Sequence, residues 1–462
     1  MSEPNQPEQD DHEFSDDDAP DAPPKKAKPK GKGRRSLRVA TPEDALIGAG
    51  DWKKSLRHNQ DGSLTKDAGN AALLLANDDR WKGAVRYDEF ADRIRWHRDA
   101  PALAGMVAPK AGKSLDRQAV TFVQHWLRRI VGPAFSREAV EEALAMAALA
   151  NKFHPVRDYL SSLAWDGKSR VATWLPTYLG TTDDRYHSEV GRMWLVSAVA
   201  RAFRPGCQAD YMLVLEGGQG LMKTSALRAL AGEWLLEGLP DLRDQTRTAS
   251  AIQGKWIIEV SELEAIRGAA VQIVKAWITR VVDTYRGAYQ KFERDAPRQG
   301  VCAGTTNEDR YLIDPTGARR FWPVKCTVID VNGLREARDQ IWAEAREIYE
   351  GGRACGWDPA KRGAWAWWPD RGDADLNAAL LAAQDARHES DEWEGKVADW
   401  VESRPGVTVG DVLATCLNVE PGKWDRAAQG RVGAILRRLG WMPRRVRDGQ
   451  DRHRRYYPPG TP

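Results

Sequence analysis

At 462 residues, with 42% hydrophobic and 29% charged side chains, the chain reads as a soluble globular protein of two to four domains. Its 69 Lys and Arg nearly balance 66 Asp and Glu, so a formal charge of +3 makes the placement of charge more informative than its sum. No run approaches the roughly 20 apolar residues of a membrane span, and the N-terminus lacks the basic-then-apolar pattern of a signal peptide. The five cysteines (Cys207, Cys302, Cys326, Cys355, Cys416) are scattered, without CxxC or a His partner at metal spacing. The expectation is a cytoplasmic protein with reduced thiols, no membrane contact and no cysteine-bound metal.

Residues 1–40 form an acidic, then basic tail. Positions 1–24 carry no Lys or Arg, whereas Lys25, Lys26, Lys28, Lys30, Lys32, Arg34, Arg35 and Arg38 follow closely. With almost no apolar side chains the segment is expected to be disordered. It reads either as a solvating tail or as a phosphate-touching arm masked by its acidic neighbour. Residues 41–150 read as a helical N-terminal domain, with apolar residues three and four apart over 70–76, 87–96, 114–131 and 136–149. Ser136 marks a capped helix start.

Residues 151–350 read as an α/β domain with a helical lead-in that ends in a helix over 194–203. Short apolar runs at 211–215, 256–260, 300–303 and 321–324 are separated by helical stretches, which argues for a parallel sheet. A Gly, Trp and Pro-rich linker is expected over 351–375. The last segment, 376–462, reads as helices over 392–402, 408–416 and 426–439, then a hairpin over 441–457 turning at Asp448-Gly449. Helices followed by a hairpin are a winged-helix-like signature. Ten Arg against three Asp between Trp424 and Tyr457 favour a DNA-binding module over a docking or solubilising tail. Gln429, Arg431, Arg437, Arg438, Arg444, Arg445 and Arg454 are the candidate contacts.

The chemistry concentrates at Gly217-Gly218-Gln219-Gly220-Leu221-Met222-Lys223-Thr224-Ser225, between the 211–215 strand and a helix over 223–230. This is the setting of a P-loop. Glycines turn the backbone so that its N–H groups face phosphates, the helix start adds partial positive charge, and Lys223 supplies an ammonium. Thr224 is placed to ligate Mg²⁺, so ATP and Mg²⁺ are the expected cofactors. Met222 stands where the pattern G-x-x-x-x-G-K-[ST] has its second glycine, and is expected either to crowd the loop or to shift its backbone, at a cost to ATPase activity. Downstream, the strand over 256–260 brings Glu259 and Glu262, one for the metal and one for the attacking water, with the assignment open. The 300–303 strand leads to Asn307, a candidate γ-phosphate sensor. Arg319 and Arg320 suit transition-state charge stabilisation, which ring ATPases supply in trans.

In this order and spacing, the motifs resemble the virulence-associated protein E family of phage and mobile-element proteins, related to superfamily 3 helicases. Upstream, Phe153-His-Pro-Val-Arg-Asp-Tyr-Leu160 and Trp165-Asp-Gly-Lys-Ser-Arg170 resemble the family's lead-in, and Asp283-Thr-Tyr-Arg286 with Tyr289 and Lys291 resembles its segment between the second and third motifs. The resemblance implies an ATP hydrolase of helicase type with an AAA+-like core, assembling as a ring, expected to be hexameric, on single-stranded or forked DNA. It implies DNA contacts at Arg286 and Lys291. Relatives often fuse such a motor to a primase, but residues 41–150 show no primase acid cluster, so no primase is expected within this chain and a separate one is a candidate partner. The leading function is a DNA helicase-like motor for replicating a phage or integrated element. The rivals are an ATP-switched initiator or loader and an ATP-gated regulator of a protein partner.

Overall fold

The computed structural model describes residues 52–132, 134–263, 269–286, 293–308, 311, 318–354, 367–387, 392–448 and 451–460. The tail 1–40 and the expected contact Lys291 lie outside the described residues.

The N-terminal part packs α1 (Ala68–Asn77), α2 (Arg117–Val131) and α3 (Arg137–Leu149) against a small sheet. Asp67, Asp116 and Ser136 cap these helices, each side-chain oxygen accepting a backbone N–H of the first turn. The sheet joins β1 (Val85–Asp88), β2 (Arg93–Trp96) and β3 (Lys152–Phe153) in the order β2-β1-β3. The helix expected over 87–96 is therefore an antiparallel hairpin, Val85 pairing with Trp96 and Asp88 with Arg93. Local turn chemistry overrides the three-and-four spacing. The Asp88 carboxylate accepts the N–H groups of Phe90 and Ala91, and Asp92 adopts a left-handed φ of 51°. Trp81, Trp96 and Trp126 fill the core behind it.

A lead-in of α4 (Pro155–Ser162), α5 (Trp174–Leu179) and α6 (Arg185–Phe203) precedes the main sheet. Helix α6 is buried almost all round from Met193 to Ala202, as a helix enclosed by other elements must be. The next strands are β4 (Met212–Glu216), β5 (Leu235–Leu236) and β6 (Ile257–Val260). They are followed by β7 (Val282–Tyr285), β8 (Arg294–Pro297), β9 (Val301–Thr306) and β10 (Phe321–Lys325). Strands β7 and β8 form a separate antiparallel pair, and the rest make one parallel sheet ordered β10-β4-β9-β6-β5. Leu213 and Leu215 join the core beneath α6, whereas Met212 and Val214 join the opposite one, so β4 is buried on both faces. Helices α7 (Lys223–Ala231), α8 (Gln245–Ala251), α9 (Ala269–Ile278) and α10 (Val331–Ala354) complete this layer architecture.

Of the segment expected as a linker, 351–375, residues 355–366 lie outside the described residues, and its described ends join the main domain. Helix α10 runs through Ala354, and Trp367 is buried with its Nε1 donating to the Gln208 carbonyl. Helix α11 (Ala374–Asp385) spans the boundary expected at 376 and packs on the sheet, because Leu376 and Leu380 bury in the main core. Beyond it, α12 (Glu392–Val401), a short helix Val409–Asp411 with a π-helical turn Val412–Cys416, and α13 (Arg426–Arg438) enclose a separate core with a hairpin of β11 (Met442–Asp448) and β12 (Asp451–Tyr457).

Candidate functional site

Strand β4 lies inside the sheet between β10 and β9, and its carboxyl end opens into the glycine-rich loop. Two glycines are required there. A Cβ on Gly217, at φ +148°, would meet Leu221 Cδ2 at 2.6 Å and the Cys326 carbonyl oxygen at 3.0 Å. Gly220 has φ +84°, in the left-handed region. Met222 also adopts a left-handed conformation, φ 64° and ψ 31°, immediately before α7. Its side chain is 52% exposed, so it turns outward and the expected crowding of the loop is absent. The cost is backbone strain, about 1 kcal/mol for a non-glycine residue in this region.

Lys223 opens α7 nearly buried and donates its Nζ to Gly217 O at 2.6 Å, Gly218 O at 3.1 Å and Asn307 Oδ1 at 3.0 Å. The ammonium is thus held over the loop by the tip of β9, the strand beside β4. Thr224 Oγ1 donates to Glu259 Oε1 at 2.6 Å, and Thr305 Oγ1 donates to the same oxygen at 2.9 Å. Glu259 is 1% exposed at the end of β6, so these hydroxyls and its position fix a carboxylate that water barely reaches. Glu262, three residues on, is exposed with φ 53° and lines the same cavity. That open cavity, about 320 Å³, collects Gln219, Lys223, Ser225, Ser261, Glu262 and Asn307. Ser261, Thr305 and Thr306 carried no assigned role in sequence; the polar run ending β9 hinted at the two threonines, and Ser261 follows β6 between the two acids.

A second polar cluster lies behind the loop and had no sequence signal. Glu216, the last residue of β4, is 1% exposed and accepts from Arg387 Nε at 3.0 Å and Nη2 at 2.9 Å. Tyr311 Oη donates to Glu216 Oε1 at 2.9 Å, and burial beside this carboxylate pushes the phenol well above its ordinary pKa. Arg387 follows α11, 171 residues away in the chain, a separation over which no local pattern is visible.

The remaining candidates fall elsewhere. Arg319, exposed, and Arg320, half-buried, precede β10, whose Phe321 pairs with Met212 at the amino end of β4. Five strand residues, about 16 Å, separate them from the loop of their own chain. Arg286 is exposed at the end of β7. The stem of that hairpin is fixed from two sides. Asp283 pairs with Arg298 at 2.5 and 2.9 Å, both buried. Asp92 of the N-terminal part meets Arg294 at 3.0 Å and the Tyr285 hydroxyl at 3.1 Å. In the C-terminal part, Arg431, Arg437, Arg444, Arg445 and Arg454 are exposed, with the Arg431 guanidinium 3.9 Å from the Trp393 ring centre. Gln429 is also exposed, its amide donating to Trp424 O. Arg438 instead pairs with Glu394 at 2.6 Å, where both side chains are largely covered, and so ties α13 to α12. Among the described residues no three His, Cys, Asp or Glu converge as a metal cage, and no helix is long and apolar enough to cross a membrane.

These features define a parallel α/β domain with a glycine-rich, Lys-Thr loop at the carboxyl end of an inner strand. Residues 160–368 match the Virulence-associated protein E-like domain, and this segment carries the chain's likeness to the virulence-associated protein E family. Comparison with curated proteins gave no match. Among solved structures, the A form apo structure of the NrS-1 C-terminal region (305–718) aligns with 11% identity and a TM-score of 0.41, covering 86% of this chain and all of that one. Another apo structure of the same region aligns with 12% identity and a TM-score of 0.40, covering 81% of this chain and 96% of that one. Similarity at this level passes no activity or partner to the present chain.

Proposed function

We propose that the chain is an ATP-hydrolysing motor of helicase type that acts on DNA in the replication of a phage or integrated element. The observation that carries this reading is the meeting of Lys223, Thr224, Glu262 and Asn307 at one cavity beside the glycine-rich loop, with buried Glu259 bonded to Thr224 behind its wall. In open parallel sheets, ligands bind beyond the carboxyl ends of the strands, which is where these residues stand. The loop is read as a P-loop, its N–H groups and Lys223 taking the place for phosphate that the Gly217 and Gly218 carbonyls now share with the ammonium.

The donor set suits Mg²⁺. The Thr224 hydroxyl and Glu259 carboxylate are hard oxygens 2.6 Å apart, and Mg²⁺ takes one or two protein oxygens beside water and phosphate. When bound, it spreads charge from the β- and γ-phosphates. The buried, doubly bonded Glu259 is the acid on the metal side. Exposed Glu262, across the cavity, orients the attacking water, and Asn307 reads the terminal phosphate. Arg319 and Arg320, remote from their own loop, serve the site of the next copy, which makes a ring assembly the working form.

DNA contact is assigned to the β7–β8 hairpin, with Arg286 at its end, and to the C-terminal part, read as winged-helix-like. There the β11–β12 register sets Arg444 opposite Arg455 and Arg445 opposite Arg454. Like charges directly across a strand pair are unfavourable, and a phosphate backbone relieves them. The loader alternative is favoured by Met222, a side chain in left-handed backbone where the pattern has glycine.

The test is ATP hydrolysis and strand displacement on forked DNA, with Lys223→Ala as control. ATP-dependent unwinding that the substitution abolishes supports the proposal. Hydrolysis without unwinding on any fork would return the chain to the loader class.

A further inference from the structure

Two cavities meet at Met222 and Ser225. One holds Lys223, Glu262 and Asn307; the other, about 480 Å³, lies between α7 and the segment leading from β10 into α10. The second is built by the chain and is not a chance surface hollow. Cys326 N–H donates to Glu216 O at 2.9 Å, and the Cys326 carbonyl lies against Gly217, so residues 326–332 are held beside the loop.

We infer that this second cavity receives the ribose and base of the nucleoside triphosphate whose phosphates occupy the first; the inference rests on the nucleotide reading proposed above. Direction decides it. Lys223 and Thr224 turn toward Asn307 and Glu259, so the terminal phosphates belong on that side. Ser225, one step of about 100° further round the helix, lines both cavities and leads away from Glu259 and Glu262, toward a cavity whose one carboxylate, Asp330, already accepts the Gly333 N–H at 2.9 Å. The nucleoside end therefore leaves past Ser225, since Glu262 and Asn307 crowd the opposite exit with acceptors and charge.

The chemistry of the second cavity fits that occupant. Ala229 and Ile329 are buried apolar walls, and the Met222 thioether, polarizable and exposed, stands at the junction. Arg335 Nη1 donates to Asn332 Oδ1 at 2.9 Å, which leaves the Asn332 amide N–H₂ and the other guanidinium N–H groups to donate at the rim. Ring nitrogens and ribose oxygens are their acceptors, and the volume is in the range of small-ligand sites. Met222, the departure from the glycine pattern, thereby becomes a wall of the nucleoside site.

The experiment compares equilibrium binding of ATP and of inorganic tripolyphosphate, both with Mg²⁺, to the full chain and to a N332A/R335A double variant. Both residues are exposed, so the variant is expected to fold, and its thermal unfolding is measured beside the wild type. The expected result is that wild type prefers ATP, and that the variant loses about tenfold in ATP affinity, the scale of one or two lost hydrogen bonds, with tripolyphosphate affinity unchanged. Unchanged ATP affinity, or equal weakening of both ligands, would overturn the inference. Wild type holding tripolyphosphate as tightly as ATP overturns it too while leaving the phosphate loop intact. Wild type binding neither ligand removes the nucleotide reading, and this inference with it.

Discussion

The two ends of the central sheet use the same residue types in opposite ways. At the carboxyl end, Lys223 bonds Asn307 and Thr224 bonds Glu259; Lys223, Thr224 and Asn307 line an open cavity, where a ligand can compete for those bonds. At the amino end, Asp283 and Arg298 close on each other, with Arg298 also donating to the Trp277 carbonyl, and neither side chain meets solvent. Arg201 is likewise 1% exposed there, beneath the start of β9. The N-terminal part docks against this end, through Gly254 N–H to Phe90 O and Gln299 to Glu89 O. Charge in the sequence therefore marks both a site and a joint, and only access to a cavity separates them.

The sharpest break of this comparison is functional loss at one end without structural loss. Lys223→Ala is expected to lower kcat for ATP hydrolysis by about a thousandfold, and Glu259→Gln by about a hundredfold. Steady-state hydrolysis measures both effects, and thermal unfolding should show both variants folded. A Glu259→Gln chain that turns over at the wild-type rate would remove Glu259 from the reaction.

At the amino end the balance reverses. Asp283→Ala strands a buried guanidinium and is expected to cost about 3–4 kcal/mol of stability. Urea unfolding of the variant reads this directly. A loss below about 1 kcal/mol would mean that water reaches Arg298.

A pH dependence belongs to the same joint. His154 caps α4, its Nδ1 accepting Arg157 N–H at 3.1 Å while Nε2 faces Gln299 Oε1 at 2.7 Å. The neutral tautomer with the proton on Nε2 satisfies both contacts, and burial lowers the pKa from 6.5 to about 4. The unfolded chain takes up a proton that the fold refuses, so this stability is complete above pH 6.5 and is lost as pH falls toward 4. The loss is about 3 kcal/mol at most. His154→Asn keeps a capping oxygen and should flatten urea midpoints between pH 7 and 4.5; an unchanged pH slope would assign the dependence to other groups.

What the sequence made legible follows the same division. The β4 strand, the loop and the acid-ended β6 were readable because each depends on neighbours within a few residues. Glu216 with Arg387 and Tyr311, and the cleft beside Asn332, depend on segments about a hundred residues apart or more, and left no local trace. The 87–96 segment failed for another reason. Tyr87, Phe90, Ala91 and Ile94 have helical spacing, yet Asp88 and Asp92 form the turn of a hairpin whose second strand, Arg93-Ile94-Arg95-Trp96, alternates. Arg438 shows the converse, an arginine grouped with phosphate contacts whose ion pair with Glu394, 44 residues away, left no local trace.

The smallest effect tests whether the C-terminal hairpin belongs with the open or the closed kind of charge. Arg445 and Arg454 are exposed and directly opposed across β11 and β12, so neither neutralises the other. If they contact phosphates, Arg445→Ala should weaken DNA binding about equally on all sequences and reduce the slope of log K against log salt by about one. Arg438→Ala, which removes an ion pair with Glu394, should leave that slope unchanged while lowering stability by about 1 kcal/mol. A salt slope that falls with Arg438 and not with Arg445 would reverse the assignment, making the hairpin a joint and α13 the phosphate-binding face.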